Sequence, residues 1–419
     1  MKKIDRALLL AVNTKNYEMT EQSINELAEL ARAVNIKVVD KIIQSLDKIN
    51  AKYYLGSGKI DEIKQTLNVI DVDMVICDDT LSPSQIRNLE SLLDVQVIDR
   101  SFLILQIFAE RASSKQSILE VSLAQKLYML PRLAGLGKVL SRQGGGSFNA
   151  KGPGETKLEL DRRKLSQEIT LIKTQLKEIK QHRDVSVQKR IKNAIPVVAL
   201  VGYTNAGKSS LMNYFTTHWG TDKTLVFEED LLFATLDTKA KRIKRDNYPP
   251  FILIDTVGFI SKLPAELIAS FESTLNDIKT ADLIIHVVDG INPNEGQINF
   301  VKQILSQLNL LNIPRITVVT KSDLTPIVLI PIKEDFIQVS SKTGNNMNQL
   351  YQLIGAEIYQ DARIFDLVIP YSKGGFYHQL KEETTIINTT YLENGIHVRA
   401  LLTKHLLNKY QKLIIKEAL

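Results

Sequence analysis

Apolar and polar positions alternate with two different periods over the first hundred residues. Short apolar runs, of the kind that form buried strands, are followed by segments in which apolar residues recur every three or four positions. The strand-like runs are residues 7–12, 36–39, 72–77 and 95–98. The helix-like segments lie near 20–34, 58–69 and 82–93. This alternation predicts a small α/β domain over residues 1–104, in which helices cover a sheet.

Residues 105–192 contain two segments of helical period and no strand-like run. A first helix is predicted to begin near Phe102 and to end at Pro131, because proline cannot continue the hydrogen bonding of a helix. A second helix has apolar residues at the a and d positions of heptads. These are Leu158, Leu165, Ile169, Ile172, Leu176 and Ile179. A glycine-rich stretch, 144–154, separates the two helices, so we expect a coiled-coil hairpin with a flexible tip.

The second helix of this hairpin is basic. Residues 157–190 contain ten Lys or Arg against five Asp or Glu. A solvated coiled-coil surface explains such an excess, and so does an arm that binds RNA phosphates through guanidinium groups and backbone amides. The candidate RNA contacts lie near the tip and are Arg132, Lys138, Arg142, Lys151, Arg162 and Arg163.

Longer apolar runs mark the segment 193–360. They are residues 197–201, 252–254, 283–288 and 316–319. Such nearly continuous runs are typical of a parallel sheet that is buried on both faces. The last segment, 361–419, has β-rich runs, a hairpin turn at Asn394-Gly395 and an amphipathic helical pattern near 403–416. It predicts a small α+β domain.

Composition limits the kind of protein that this chain can be. Its 419 residues are too many for one compact core, and 44% hydrophobic residues is an ordinary globular balance. No apolar stretch is long enough to cross a bilayer. The single cysteine, Cys77, excludes an internal disulfide and favours a buried thiol in the reducing cytoplasm. The net charge of +6 is compatible with a nucleic-acid partner but does not require one.

A complete G-x-x-x-x-G-K-S motif follows the predicted strand at 197–201 and opens a helical pattern. Its residues are Gly202, Tyr203, Thr204, Asn205, Ala206, Gly207, Lys208 and Ser209. In such a loop, backbone N–H groups surround the phosphates, the lysine neutralises the β- and γ-oxygens, and the serine can bind Mg²⁺. The motif predicts a nucleoside triphosphate site.

Three further motifs follow in order, each at the carboxyl end of a predicted strand. They are Asp255-Thr256-Val257-Gly258, Thr320-Lys321-Ser322-Asp323 and Ser340-Ser341-Lys342. Asp255 can order Mg²⁺ through water, and the N–H of Gly258 can contact the γ-phosphate. The carboxylate of Asp323 can accept two hydrogen bonds from guanine that adenine does not offer, and the last motif can close over the base. Together the motifs predict a guanine-nucleotide-binding domain.

This motif set is similar to that of the translation-factor-related GTPases, and the remaining chain resembles the HflX family of ribosome-associated GTPases. The resemblance is most specific between residues 80 and 290. It rests on residues 81–85, 97–100, 107–112, 130–133, 152–156, 161–163, 233–237, 259–260 and 263–264. It implies an α/β P-loop GTPase domain with a mostly parallel sheet, preceded by a small α/β domain and a helical hairpin and followed by a small α+β domain.

The resemblance also implies a partner and the rest of the site. The family binds the ribosome, mainly its large subunit and rRNA, hydrolyses GTP faster there, and includes members that split stalled or hibernating ribosomes. Its switch I segment corresponds to Phe233, Ala234, Thr235, Leu236 and Asp237. Thr235 would bind Mg²⁺ together with Ser209. The implied ligands are GTP and GDP, and the implied catalytic residues are Lys208, Thr235 and Gly258.

The chain departs from the family pattern at several positions. Thr320 stands where asparagine is usual, Thr238 replaces a proline, and residues 147–150 interrupt the glycines of the tip. Phe259 occupies the place where Ras-like enzymes have the glutamine that orients water, so we expect slow intrinsic hydrolysis and a partner that aligns the water. Asn205 resembles the asparagine of potassium-stimulated GTPases, which suggests K⁺ as a further cofactor.

Other interpretations fit some of the same residues. Gly56-Ser57-Gly58-Lys59 resembles half a phosphate loop, and a helix start, an anion contact or a second nucleotide site would each explain it. For the whole chain, the alternatives are a factor that remodels rRNA or assists ribosome assembly, and a nucleotide-gated binding protein with incidental hydrolysis. We expect a monomer, because the hairpin can satisfy its own apolar seam.

Overall fold

The computed structural model describes residues 5–143, 157–192, 195–222, 239–245, 248–262, 278–324 and 334–417, without the side chains of 134–143, 157–158, 182–192 and 405. The described residues form two compact units. The first contains the residues up to Ile179 together with Lys262, and the second contains the others. The finer domain limits at 104, 192 and 360 remain predictions from the sequence.

The first unit begins with alternating strands and helices. The strands are β1 (Arg6–Asn13), β2 (Lys37–Ser45), β3 (Met74–Cys77) and β4 (Gln96–Asp99). The helices between them are α1 (Tyr17–Ala33), α2 (Ser57–Val69) and α3 (Pro83–Leu93). The strands are parallel in the order β2-β1-β3-β4, which confirms the predicted α/β layer. Cys77 is fully buried in its core, and burial raises the pKa of the thiol well above its usual value.

A buried ionic cluster lies at the carboxyl end of this sheet. Asp99 caps helix α4 (Arg100–Arg111) and accepts the hydroxyl of Tyr128 at 2.9 Å. The guanidinium of Arg100 is fully buried and pairs with Asp78 at 2.7 Å. Because buried charges are costly unless they are paired, loss of either Asp78 or Arg100 would leave an uncompensated charge in the first unit. These contacts give a structural role to part of the sequence that resembles the HflX family.

Helices α5 (Lys115–Gln143) and α6 (Lys157–Lys192) correspond to the predicted hairpin. Leu123 of α5 packs with Ile169 and Ile172 of α6, and Leu165 and Leu176 pack against the same cluster, which confirms the apolar seam at these four predicted positions. The predicted end of the first helix was wrong, because α5 continues through Pro131. Proline removes one backbone hydrogen bond, and a long helix packed along one side can continue past it. Neither these nor the other described helices are apolar enough over a sufficient length to cross a membrane.

The second unit contains the predicted mostly parallel sheet. Its strands are β5 (Val197–Gly202), β6 (Lys239–Ile243), β7 (Phe251–Asp255), β8 (Leu283–Asp289), β9 (Arg315–Thr320) and β10 (Phe336–Gln338). In the described part of the chain, their order is β10-β9-β8-β5-β7-β6, and β6 is antiparallel to β7. Helices α7 (Lys208–Trp219), α8 (Glu295–Gln307) and α9 (Met347–Ile358) pack against it. The parallel strands bring their carboxyl ends to one edge.

The C-terminal part of the second unit is α+β, as predicted. It contains β11 (Arg363–Ile369), helix α10 (Gly374–Glu383), β12 (Ile386–Leu392), β13 (Gly395–Leu402), helix α11 (Lys404–Tyr410) and β14 (Ile414–Glu417). The helix predicted near 403–416 was wrong at its end, because α11 ends at Tyr410, a 3-10 turn follows at Gln411–Leu413, and β14 pairs with β11. A short apolar run can form either a helix or a strand, and here it forms a strand because it can pair with the edge of β11. Helix α10 was not predicted.

The histidine in the middle of β8 predicts acid sensitivity of the second unit. His286 is 1% exposed, and burial, reinforced by Arg315 and Lys302, lowers its pKa to about 4. A lowered pKa means that the unfolded state takes up the proton first, so stability should fall as the pH drops from about 6.5 towards about 4, by up to about 3 kcal/mol.

Urea unfolding at neutral and at acidic pH measures this loss of stability. The variant His286→Leu lacks the titrating group and should lose less stability on acidification than the parent protein. The exposed His378 offers a control, because His378→Leu should keep the parent profile. Equal acid sensitivity of His286→Leu and the parent protein would contradict the prediction.

Candidate functional site

The loop between β5 and α7 holds the predicted phosphate-binding motif. β5 ends at Gly202 and α7 begins at Lys208, so the motif forms a strand-to-helix turn. A Cβ on Gly202 would lie 2.3 Å from the carbonyl oxygen of Val287, and Gly207 has a φ of +88°. Both positions therefore require glycine. The N-terminus of α7 then follows, where unpaired N–H groups and the helix dipole favour an anion.

Lys208 is buried within this loop, with 6% of its surface exposed. Its Nζ donates to the carbonyl oxygens of Gly202 at 3.1 Å and Tyr203 at 2.7 Å. Burial lowers the pKa of Lys208 to about 8, although the nearby carboxylate of Asp255 opposes the shift. A phosphate at this position would supply the negative charge that the buried ammonium needs. The lysine is thus suited to bind a phosphate.

Ser209 and Asp255 are adjacent. The Oγ of Ser209 donates to Oδ2 of Asp255 at 2.9 Å, and Asp255 is fully buried at the end of β7. A hydroxyl and a carboxylate oxygen are the hard ligands that Mg²⁺ takes beside waters and substrate phosphates. These two residues therefore fit Mg²⁺. Across the described residues, no cluster of three or more His, Cys, Asp or Glu offers a different metal site.

The segment that follows β7 lies against the phosphate loop. The N–H of Phe259 donates to the carbonyl of Gly202 at 3.1 Å, and the carbonyl of Phe259 accepts the N–H of Thr204 at 2.8 Å. Gly258 consequently lies beside Lys208, because a Cβ on Gly258 would be 3.0 Å from Nζ. A γ-phosphate bound to Lys208 would be close to the backbone of Gly258. The side chain of Phe259 is buried.

The predicted base-recognition residues meet at the same edge of the sheet. Oγ of Ser340 donates to Oδ1 of Asp323 at 2.7 Å, and it accepts the N–H of Thr343 at 3.1 Å. Ser340 is fully buried, whereas Asp323 is exposed. The carboxylate of Asp323 is therefore held in place while it stays accessible. A group that must meet two donors of a guanine at once needs this kind of fixation.

Sequence reasoning missed Asp289 at the end of β8. Its Oδ2 pairs with Nζ of Lys321 at 2.9 Å, and the same Nζ donates to the carbonyl of Asn205 at 3.1 Å. Lys321 thereby joins the base-recognition loop to the phosphate loop. The sequence did contain an indication of this role. Asp289 comes at the end of an apolar run that forms a strand of the parallel sheet, and the carboxyl ends of such strands meet at one edge.

Thr320, where the family usually has asparagine, makes a second connection between the two loops. Its Oγ1 is 2.8 Å from the carbonyl oxygen of Ala206 and 3.2 Å from that of Val288, and it is buried. An amide would have two protons for these two carbonyls, whereas the hydroxyl has one to share. The brace is therefore retained, but with one donor fewer.

We predict that Thr320→Val weakens GDP binding about fivefold, because it keeps the shape and removes one neutral hydrogen bond to a buried carbonyl. Fluorescence titration with a labelled GDP measures this change. Thr320→Ser keeps the hydroxyl and should stay near the parent affinity. If the valine and serine variants bind GDP equally well, the hydroxyl is not a brace.

Several predicted residues lie outside the described part of the chain. These are Phe233, Ala234, Thr235, Leu236, Asp237 and Lys151, and the side chains of Lys138 and Arg142. Arg162 and Arg163 are described and are exposed on α6, so an RNA contact there remains a prediction.

Arg132, one of the predicted RNA contacts, makes several contacts within the first unit. Its guanidinium donates to the carbonyl oxygens of Tyr128 at 2.8 Å and Leu81 at 2.9 Å and pairs with Asp99 at 3.2 Å. It also lies 3.3 Å from the centroid of the Tyr128 ring. These contacts are all inside the first unit, and they engage most of the donors of the guanidinium.

The glycine-rich residues before α2 form a helix start. Gly56 precedes the helix, and its N–H donates to Oε1 of Gln44 at 2.9 Å. Nζ of Lys59 pairs with Glu62 one turn further along at 2.7 Å. These contacts support the helix-start interpretation of the Gly56-Ser57-Gly58-Lys59 motif.

Family models match most of the chain in three consecutive parts. Residues 21–109 match the N-terminal model of the GTP-binding GTPases, and residues 111–190 match the middle-region model. Residues 197–321 match a model described as a 50S ribosome-binding GTPase. The last match contains the phosphate loop, Asp255–Gly258 and the beginning of the base-recognition motif.

Individual proteins of the HflX family are similar to nearly the whole length of this chain. GTPase HflX from Caldanaerobacter subterraneus is 42% identical over 412 residues, 98% of this chain and 94% of the relative. GTPase HflX from Lacrimispora saccharolytica is 39% identical over 406 residues, 96% of this chain and 94% of the relative. GTPase HflX from Escherichia coli is 36% identical over 360 residues, 84% and 83% of the two chains. The protein is a GTP-binding and GTP-hydrolysing enzyme, and it belongs to the HflX family of GTPases.

Proposed function

We propose that this GTPase binds the large ribosomal subunit in its GTP state, hydrolyses GTP there, and so splits or rescues stalled or hibernating ribosomes. The observation that carries the proposal is the match of residues 197–321, which hold the phosphate site, to a family described as 50S ribosome-binding GTPases. Arg162 and Arg163, exposed on the basic helix α6, add positive charge suited to rRNA phosphates. A ribosomal partner would place the protein in the cytoplasm, where we expect it to act as a monomer.

In the proposed mechanism, each motif acts on one part of the nucleotide. Lys208 neutralises the β- and γ-phosphates, and Asp323 selects guanine. Ser209 and, by the family resemblance, Thr235 would hold Mg²⁺, with Asp255 ordering it through water. Bound Mg²⁺ would stabilise the charge that develops on the phosphate oxygens. Loss of the γ-phosphate would release the segments around Thr235 and Gly258 and lower ribosome affinity.

Phe259 supports a requirement for a partner. Its buried aromatic ring offers no hydrogen bond to an attacking water. The ribosome would therefore align the water or supply the missing group. K⁺ beside Asn205 is a second candidate activator, and replacement of K⁺ by Na⁺ in the turnover assay tests it separately.

The proposal is tested by measuring GTP turnover with and without purified large ribosomal subunits. The salt concentration is fixed, and ATP is the control nucleotide. We expect GTP-selective stimulation by more than about tenfold, because hydrolysis that lacks its water-orienting group is slow by orders of magnitude. Absence of stimulation would refute the ribosome-activated mechanism. ATP-driven unwinding of duplex RNA would instead favour an rRNA-remodelling factor.

The basic surface is tested by paired charge reversals on α6. Arg162→Glu with Arg163→Glu should weaken binding to the large subunit, and the weakening should shrink at high salt. Lys177→Glu with Lys180→Glu is the matched control, because it changes the net charge equally at exposed positions farther from the tip. Equal losses in both variants would indicate general electrostatic adhesion and not a defined contact.

A further inference from the structure

Tyr203 connects the phosphate loop with the segment that follows Gly258. Tyr203 is 7% exposed, and its ring packs edge-on against Phe300 of α8, with ring centroids 6.4 Å apart. Its hydroxyl oxygen accepts the N–H of Ser261 at 2.7 Å, and its carbonyl oxygen accepts Nζ of Lys208 at 2.7 Å. One residue therefore contacts the phosphate-binding lysine through its backbone and residue 261 through its side chain.

The segment 258–261 is attached to the phosphate loop both through its backbone and through the Tyr203 side chain. The backbone attachment is the β-bridge between Tyr203 and Phe259, formed by backbone hydrogen bonds. A bridge of one residue fixes a single position and leaves the chain on either side able to pivot. The side-chain attachment is the Tyr203 hydroxyl at Ser261, and it restricts that pivoting. Gly258, directly before the bridge, is the residue that lies beside Lys208.

We propose that Tyr203 is a positioning residue for recognition of the γ-phosphate. Its hydroxyl holds segment 258–261 on the phosphate loop, so that the backbone of Gly258 is already beside Lys208 when GTP binds. A preorganised segment loses less conformational entropy on binding. GDP lacks the γ-phosphate and gains nothing from this arrangement. The Tyr203–Ser261 contact therefore favours GTP over GDP.

The test is the variant Tyr203→Phe, which keeps the ring and its contact with Phe300 and removes the hydroxyl. Affinities for GDP and for a non-hydrolysable GTP analogue are measured by titration in the absence of ribosomes. Removal of one neutral hydrogen bond should weaken binding of the analogue about fivefold and leave the GDP affinity near the parent value. Equal weakening of both nucleotides, or tighter binding of the analogue, would overturn the inference.

Tyr359→Phe is a matched control for loss of a buried hydroxyl. The hydroxyl of Tyr359 donates to the carbonyl oxygen of Pro250 in the same compact unit, and the side chain is buried. This variant should lower the melting temperature but keep the ratio of analogue affinity to GDP affinity. If Tyr203→Phe lowers only the melting temperature and leaves that ratio unchanged, its role is structural and the inference fails.

The inference rests on the proposed contact of Gly258 with the γ-phosphate, and Gly258→Ala tests that contact separately. A Cβ there would lie 2.9 Å from Cα of Thr204 and 3.0 Å from Nζ of Lys208, so the segment must move away. The ratio of analogue affinity to GDP affinity should then fall by more than in Tyr203→Phe. If only Gly258→Ala lowers the ratio, the role of Tyr203 is refuted. If neither variant lowers it, the role of Gly258 is refuted as well.

Discussion

Replacement of Asp323 by asparagine should weaken GDP binding by about 100-fold and shift the preference towards xanthine nucleotides, because one guanine N–H would face a donor and the other would lose its charged acceptor. The carboxylate accepts from two N–H groups of guanine, whereas an amide presents an acceptor and a donor. Xanthine carries a carbonyl where guanine has its amino group, so the donor of the amide meets an acceptor. The carboxylate is also fixed by Ser340 at 2.7 Å, so the change acts at a defined position.

Competition of GDP and XDP against a labelled nucleotide measures this change of base preference. Asp335→Asn is a matched control, because Asp335 is exposed in the same unit and its replacement alters the net charge equally. That control should bind GDP as the parent does. Retained GDP preference in Asp323→Asn would mean that the base is recognised elsewhere, and the assignment of this edge of the sheet would have to be abandoned.

Replacement of Lys208 by alanine should weaken GTP binding and turnover by about a thousandfold, because a buried cation would be removed from the phosphates that it neutralises. Stability should respond differently. Burial opposes the charged form of Lys208 and lowers its pKa to about 8. Relief of that desolvation offsets the lost packing, so the melting temperature of Lys208→Ala should stay near the parent value.

Nucleotide titration and thermal unfolding of the same Lys208→Ala preparation separate binding from stability. Lys302→Ala is the control for loss of a lysine from the same unit, because Lys302 pairs with Glu334 at 2.9 Å on the surface. It should bind and hydrolyse GTP normally. A Lys208→Ala protein that retains turnover would place the phosphates away from this loop, and one that unfolds would show that the lysine mainly supports the fold.

The sequence predicted the fold class and the place of the site because both depend on local patterns. Apolar runs and helical periods recur along the chain in an order that matches a parallel sheet, and each nucleotide motif follows a strand. Since the carboxyl ends of parallel strands share an edge, Lys208, Asp255 and Asp323 could be expected at one site before any contact was known. The glycines of the phosphate loop could also be predicted from the sequence, because the strand-to-helix turn requires them.

Local sequence patterns were less informative where the same residues are compatible with more than one local structure. The helix predicted to end at Pro131 continues to Gln143, since the proline costs one hydrogen bond that packing along the helix can offset. Ile414 and Ile415 fit a helix in isolation but form β14 beside β11. Arg132 was predicted only as an RNA contact, and its pairing with the buried Asp99 was not predicted.

The sequence by itself determined the nucleotide class, the order of the motifs and the elements that carry them. Tertiary structure decided which side chains join those motifs. Oγ1 of Thr320 reaches the carbonyl of Ala206 across 114 positions, Lys321 reaches Asp289 across 32, and the Tyr203 hydroxyl reaches Ser261 across 58. The backbone conformation of a motif depends on residues close to it in the sequence. Contacts between distant residues depend on the register and packing of the whole sheet. Residue types and their spacing do not specify that register or packing.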